Sequence, residues 1–189
     1  AMDHLRDRVS EIFEKEGKKY LKDPWQARNE YIQVILDRET EAVDHFFFFF
    51  AGHHLNDDEK RTVLKLLEMQ RHAMLQYTSC GWFFDELSGI ETVQVMEYAA
   101  RVIQLAREIS NEDLEPNFVG TLAHAPSNVF TDGSEVYHTF VKPAFVDIHK
   151  IGAHYAISSV FSGNEKRDGL RVFSYRVLED YHEMLYAGK

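Results

Sequence analysis

A mainly α, multi-helix bundle with a short β-strand or hairpin at its C-terminal end is the fold class this sequence predicts. Three observations carry the prediction. Apolar residues recur every three or four positions over most of the chain, the mark of helices with one buried face. Helix-start chemistry stands ahead of those stretches, at Asp23-Pro24, at Asn56 with Glu59, and at Ser88 with Glu91. Only over Leu170–Leu178 does strict alternation replace the helical period.

Leu5, Val9, Ile12 and Phe13 place the first helix, which ends by Gly17 or Lys22. The next opens with Asp23 as N-cap, Pro24 at the first helical position and Gln26 at the capping-box place. Tyr31, Ile32, Ile35 and Leu36 give it an apolar side, and Trp25 in its first turn reads as a packing anchor. Glu39–Ala51 follows and contains Phe46-Phe47-Phe48-Phe49-Phe50. Five consecutive aromatics point all round a helix, so either every side is buried or some rings face a partner. Asn56-Asp57-Asp58-Glu59 opens a helix whose buried face is Val63, Leu66, Leu67, Ala73, Met74 and Tyr77. Gln70 falls inside that face, as a satisfied core amide or as a liner of a ligand site.

Met74–Ala106 is the stretch around which the rest is arranged. It closes one helix and restarts another at Ser88, where the Ser hydroxyl and the Glu91 carboxylate have capping-box spacing. The restarted helix carries Val93, Val95, Met96, Ala99, Ala100, Ile103 and Ala106, and so wide an apolar face belongs at the centre of a bundle. Between the two lies Thr78–Glu86, an inter-helix loop holding Trp82, Phe83, Phe84, Cys80, Asp85 and Glu86. Loops seldom carry such apolar side chains without packing them on something.

After Asn111 a short helix runs to Leu122, and Ala125–Asn128 and Thr131–Ser134 are turn chemistry. A long apolar-periodic segment extends from Tyr137 to Tyr155, which Pro143 either kinks or restarts. The strand read over Leu170–Leu178 needs a partner, supplied by Tyr181–Tyr186 or from beyond Lys189.

The 189 residues suit a single domain spanning 1–189, and a second would be cramped. A hydrophobic share of 44% with 13% aromatic is that of a folded chain, while a net charge of -10 argues against nucleic acid or an anionic membrane as partner. No run approaches the roughly 20 apolar residues of a membrane span. The first residues are no signal peptide and Cys80 has no pairing partner, so a cytoplasmic location is expected. Ala1 ahead of Met2 suggests a piece of a longer protein.

Several side chains invite chemistry. Cys80 invites a nucleophile reading, but no histidine is tied to it by sequence, and a buried structural cysteine is the simpler expectation. Asp85 and Glu86 invite an acid/base pair, although chain neighbours often point apart. His45, His53 and His54 lack a carboxylate or cysteine at ligand spacing, and His149 and His154 stand five apart rather than four, so no metal ion or cofactor is expected. Trp82 differs in kind. An aromatic face flanked by the Ser79 hydroxyl and the Asp85 carboxylate suits carbohydrate, with the ring on the sugar C–H face and polar groups on its hydroxyls. An aromatic plug between two helices is the alternative.

At these residues the chain resembles a known family. Leu75–Phe83 is similar to the helix-to-loop segment in the C-terminal helical domain of glycoside hydrolase family 57 enzymes. More closely, Tyr77–Gly89 (YTSCGWFFDELSG), Glu91–Val95, Ala125–Asn128 and Gly152–Phe161 (GAHYAISSVF) resemble the domain of unknown function family 3536, which follows a family 57-type barrel in longer bacterial proteins. The resemblance runs from about Asp23 to Tyr175. It implies that the catalytic carboxylates lie in an upstream barrel of the same chain, that the helical domain packs on that barrel, and that Trp82 helps to build sugar subsites. Family 57 enzymes often carry an acidic residue just before this Trp, where this chain has Gly81, leaving Asp85 as the candidate substitute. The Phe46–Phe50 run also departs from the more charged pattern of the family.

The reading is therefore a non-catalytic helical domain of a family 57-like enzyme acting on α-glucan-type carbohydrate. Trp82, Asp85 and Ser79 face substrate, with Phe83 counted in the site and, with Phe84, anchoring the loop. By itself this piece is expected to hydrolyse nothing. The alternative is a protein–protein interaction module whose aromatic loop and Phe run bind protein and ignore glycans. A Cys80-dependent enzyme is a third reading, which predicts a low thiol pKa.

Overall fold

The computed structural model describes residues 1–161 together with Arg171–Val172 and Tyr175–Arg176. Residues Ala1–Phe145 form one compact unit and Val146–Lys189 a second. The described residues are mainly helical.

In the first unit α1 (Met2–Gly17) buries Leu5, Val9, Ile12 and Phe13, the face its spacing predicts. α2 (Pro24–Glu30) starts on Asp23, whose carboxylate accepts the Trp25 and Gln26 N–H groups at 2.9 and 3.0 Å. The helix expected to continue through Leu36 breaks at Tyr31, and α3 (Ile32–Leu36) follows as a separate turn. Its apolar face is corrected accordingly. Ala27, Tyr31 and Val34 are buried, whereas Ile32 and Leu36 point outward, Leu36 at 81% exposure. Tyr31 sets this geometry, with its ring edge-on to Phe46 and its hydroxyl donating to Glu68 at 2.7 Å.

α4 (Thr40–Phe50) divides the aromatic run between two environments. Phe46 and Phe47 are buried, Phe50 is half-buried, and Phe48 and Phe49 are exposed on the opposite side. α5 (Asp57–Leu75) begins with the complete capping box, Asn56 accepting from Glu59 N–H while Glu59 accepts from Asn56 N–H. Val63, Leu66, Leu67 and Ala73 are buried as expected, but Met74 and Tyr77 are exposed, because the helix ends at Leu75 and the chain turns there. Gln70 is a satisfied core amide that donates to Val9 O at 3.1 Å.

α6 (Ile90–Ser110) is the broadest apolar helix, and it packs against both α5 and α1 to form the core. Its start corrects the sequence reading: Gly89, not Ser88, is the N-cap, and no side chain caps it. Ser88 N–H is instead taken by Glu86 Oε1 at 2.9 Å. α6 ends on Asn111 at φ 60, a left-handed cap.

α7 (Glu115–Leu122) packs on α1 and on α8 (Gly133–Val136), which starts from an Asp132 cap. The chain then makes a π-turn over Tyr137–Val141 into α9 (Lys142–Ala144), with Lys142 N–H donating to Tyr137 O. Pro143 lacks an N–H and crowds the preceding turn, and widening that turn relieves both problems. The helix continues past Pro143 and stops at Ala144, where Phe145 turns to extended backbone, so the long segment expected through Tyr155 is interrupted there.

In the second unit α10 (Ile148–Phe161) carries His149 and His154. β1 (Arg171–Val172) and β2 (Tyr175–Arg176) pair antiparallel, Val172 opposite Tyr175. The rest of the strand expected over 170–178, and the partner expected over 181–186, lie outside the described residues, so mainly α is as far as the fold class goes.

Candidate functional site

The aromatic loop is built on the frayed end of α5. Thr78 Oγ1 donates back to Leu75 O at 3.0 Å, and Ser79–Trp82 then forms a 3₁₀ turn. Gly81 sits buried at its centre, where Thr92 Oγ1 of α6 donates to Gly81 O at 3.2 Å. A Cβ at Gly81 would collide with Val95 Cγ2 and come within 3.1 Å of Glu91 O. An acidic side chain at this position has no room while α6 lies where it does.

Trp82 leaves this turn 58% exposed but not free to rotate. Its Nε1–H donates to Gln76 O at 2.9 Å, and its ring lies parallel to Tyr77, 4° between planes and 6.2 Å between centroids. Tyr77 is fixed in turn from α1. Its hydroxyl donates to Asp3 Oδ1 at 2.6 Å, accepts from Arg6 at 3.2 Å, and has the Arg6 guanidinium over its ring at 5.5 Å. Burial and the Asp3 hydrogen bond push the Tyr77 hydroxyl up to about 12, while that same bond holds Asp3 below the usual carboxylate range. Beneath Trp82, the Gln76 side chain is fully buried, and neither its amide oxygen nor its nitrogen meets a hydrogen-bond partner among the described residues.

Phe83 and Phe84 do not anchor the loop, contrary to the sequence reading. Phe83 is 82% exposed, Phe84 is exposed beside it, and their rings touch edge-on at 5.2 Å. Anchoring falls to Glu86. One of its oxygens accepts from Ser127 Oγ at 2.7 Å and from Ser88 N–H, the other from Asn128 N–H at 2.7 Å. The Ser127 hydroxyl, with the two backbone donors, pulls the Glu86 carboxylate down to about 2. Glu86 thus clips the aromatic loop to the turn after α7, and the two carboxylates do not act as a pair, in line with the expectation that chain neighbours point apart. Asp85 is exposed, and its carboxylate makes no hydrogen bond or ion pair among the described residues.

Ser79 and Cys80 are both exposed on the turn. The buried structural cysteine expected from sequence is therefore corrected, because the tight 3₁₀ turn directs Gly81 inward and its neighbours outward. The structure thus brings Ser79, Trp82, Phe83 and Asp85 onto one short exposed segment. Sequence reasoning missed Glu86 as a clip and Tyr77 as a support. The Ser127-Asn128 turn, with backbone donors needing an acceptor, was a legible hint for the first; nothing local signalled the second.

A cavity of about 290 Å³ opens beside Trp82, and another of about 400 Å³ lies between α1 and α7 near His4, Arg8 and Asn117. In the latter Arg8 is already tied to Glu112 at 2.6 Å. Among the described residues no group of three or more His, Cys, Asp or Glu is placed to hold a metal ion, and no helix is long and apolar enough to cross a membrane.

The family model described as a domain of unknown function, DUF3536, matches residues 1–189. The chain belongs to that family. Comparison with curated proteins and with solved structures gives no match. Within this DUF3536 domain, two of the segments that carry its sequence resemblance, Tyr77–Gly89 and Ala125–Asn128, are the ones that Glu86 joins.

Proposed function

We propose that this DUF3536 domain is a helical accessory domain of a family 57-like glycoside hydrolase, and that its aromatic loop is a carbohydrate-stacking platform for α-glucan-type ligand. The observation that carries the reading is Trp82: more than half exposed, yet fixed in direction by its N–H bond to Gln76 and its parallel contact with Tyr77. A sugar stacks on such a face without paying to order it first. Ser79 and Asp85 stand on the same segment as polar partners for hydroxyls, and Phe83 extends the apolar surface. Catalytic carboxylates belong to a barrel upstream in the same protein, on which this domain packs, and the expected location is cytoplasmic.

Affinity electrophoresis through gels holding linear or branched glucan tests the platform. Retardation of the domain that is lost in Trp82→Ala and kept in Phe48→Ala is the expected result; mobility indifferent to glucan in every gel counts against it.

One observation favours the second reading, a protein-interaction module. Ile32, Leu36, Phe48 and Phe49 are all exposed, an unusual outlay of large apolar side chains for α3 and α4. That reading predicts self-association or a stable complex in sedimentation, dispersed by Phe48→Asp and unaffected by glucan.

A further inference from the structure

The cavity beside Trp82 has a chemistry different from that of the platform above it. Its walls are Trp82 and Phe84 from the loop, Met2 from α1, Val95 and Met96 from α6, and Leu122 from α7. Two threonine hydroxyls also reach it, but both already donate to backbone carbonyls, Thr92 to Gly81 O at 3.2 Å and Thr121 to Asn117 O at 2.9 Å. No ionisable side chain lines it, and the main chain of Ala1 borders it beside Met2. Sugar hydroxyls entering such a space would give up water for little more than the acceptor lone pairs of two threonine oxygens, and each group left unpaired costs roughly 1–3 kcal/mol. A sugar ring therefore belongs on the exposed part of Trp82 and not inside.

An apolar group belongs inside. A cavity of roughly 150 Å³ lined by aliphatic and aromatic side chains holds benzene, so about 290 Å³ accommodates an aromatic ring with a substituent or a linking atom. The two methionines add soft, adjustable walls that adapt to a planar ring. Trp82 is common to both places, because its ring is the exposed platform and also one wall of the cavity.

Resting on the reading of Trp82 as a sugar platform, we propose that the site takes an amphipathic glycoside: the sugar stacks on Trp82 and an aryl aglycone enters the cavity between Met2 and Met96. The ligand class is thus an aryl glycoside in preference to a bare oligosaccharide.

Two-dimensional NMR of the whole chain, with labelled methionine methyls and tryptophan indole N–H groups, reads the two halves of the site separately. The probes are phenyl α-glucoside, maltotriose and benzene. Phenyl α-glucoside is expected to shift Met2, Met96 and the Trp82 indole together, and to bind about tenfold tighter than maltotriose. Maltotriose is expected to shift Trp82 and leave both methionines, benzene to shift Met2 and Met96 together with Trp82 as their shared wall, and Met69, buried elsewhere in the core, should not move with any probe. Ala125→Leu, which adds bulk to the cavity wall, should remove the advantage of the phenyl group and leave maltotriose unchanged. Met2 and Met96 unmoved by phenyl α-glucoside would overturn the proposal even if Trp82 responds to maltotriose, leaving the platform intact. Met2 and Met96 moved by benzene with Trp82 silent to both sugars would overturn it from the other side, and the platform with it. The unsubstituted chain decides the matter if Ala125→Leu does not fold.

Discussion

The domain has two tryptophans, each at a helix boundary, and they have opposite fates. Trp25 stands in the first turn of α2, half-buried, edge-on to Phe13 at 5.0 Å and covered by the Arg28 guanidinium at 5.6 Å. Trp82 stands past the end of α5, more than half exposed, yet its N–H and its parallel neighbour hold it still. The first ring lowers its free energy by leaving water. The second spends ordering bonds to keep its face in water. Exposure together with restraint, rather than aromatic content, is what separates the proposed platform from packing, since Trp25 and the Phe46–Phe47 pair are as aromatic as the loop.

Substitutions break or sharpen this contrast. The largest effect is expected at the loop's hidden pivot. Gly81→Ala drives a methyl into Val95 and should destabilise the fold by about 3 kcal/mol in thermal or denaturant unfolding. Trp25→Ala comes next, at about 2 kcal/mol for a half-buried ring, and should leave glucan binding unchanged once the protein is folded. Trp82→Ala should do the reverse, costing under about 1 kcal/mol of stability while abolishing retardation in glucan gels. Phe83→Ala should shift stability by less than about 0.5 kcal/mol, because its ring touches little besides Phe84.

The Glu86 clip sharpens the contrast through pH. Its carboxylate titrates at about 2 in the folded domain against an ordinary 4.5. Because the folded value is depressed, the stability it contributes is fully present above about pH 4.5 and is lost as the pH falls toward about 2. Glu86→Gln should flatten that part of the stability–pH curve and loosen the loop, read as faster exchange of the Trp82 indole N–H. An unchanged curve would mean that Ser127 and Asn128 do not hold the carboxylate in solution.

Much of the scaffold was legible because its signals are local. Asn56 with Glu59, and Asp23 with Pro24, act within one helical turn, and their geometry follows from the residues themselves. The broad apolar face of α6 likewise announced a central helix. What escaped depends on distant partners. Ser88 has the spacing of a cap, but Glu86, drawn toward Ser127 and Asn128, takes its N–H and moves the helix start to Ile90. Tyr31 breaks a helix whose period continues through it, because Glu68 on α5 and Phe46 on α4 fix its side chain. The Phe46–Phe50 run has no period of its own, so only the packed neighbours decide which rings turn inward. In the site, Trp82 stood out as a loop aromatic, while Tyr77 read as a core residue and its ties to Asp3 and Arg6 span 74 and 71 positions of sequence.

The most direct measurement is a tryptophan-fluorescence titration with linear and branched glucans in a Trp25→Phe background, which isolates the emission of Trp82. A saturable change with glucan that disappears in Trp82→Phe is the expected result. A flat response at millimolar glucan, by the domain alone and by the domain joined to the proposed upstream barrel, would contradict it and leave Trp82 as packing or as a contact for protein.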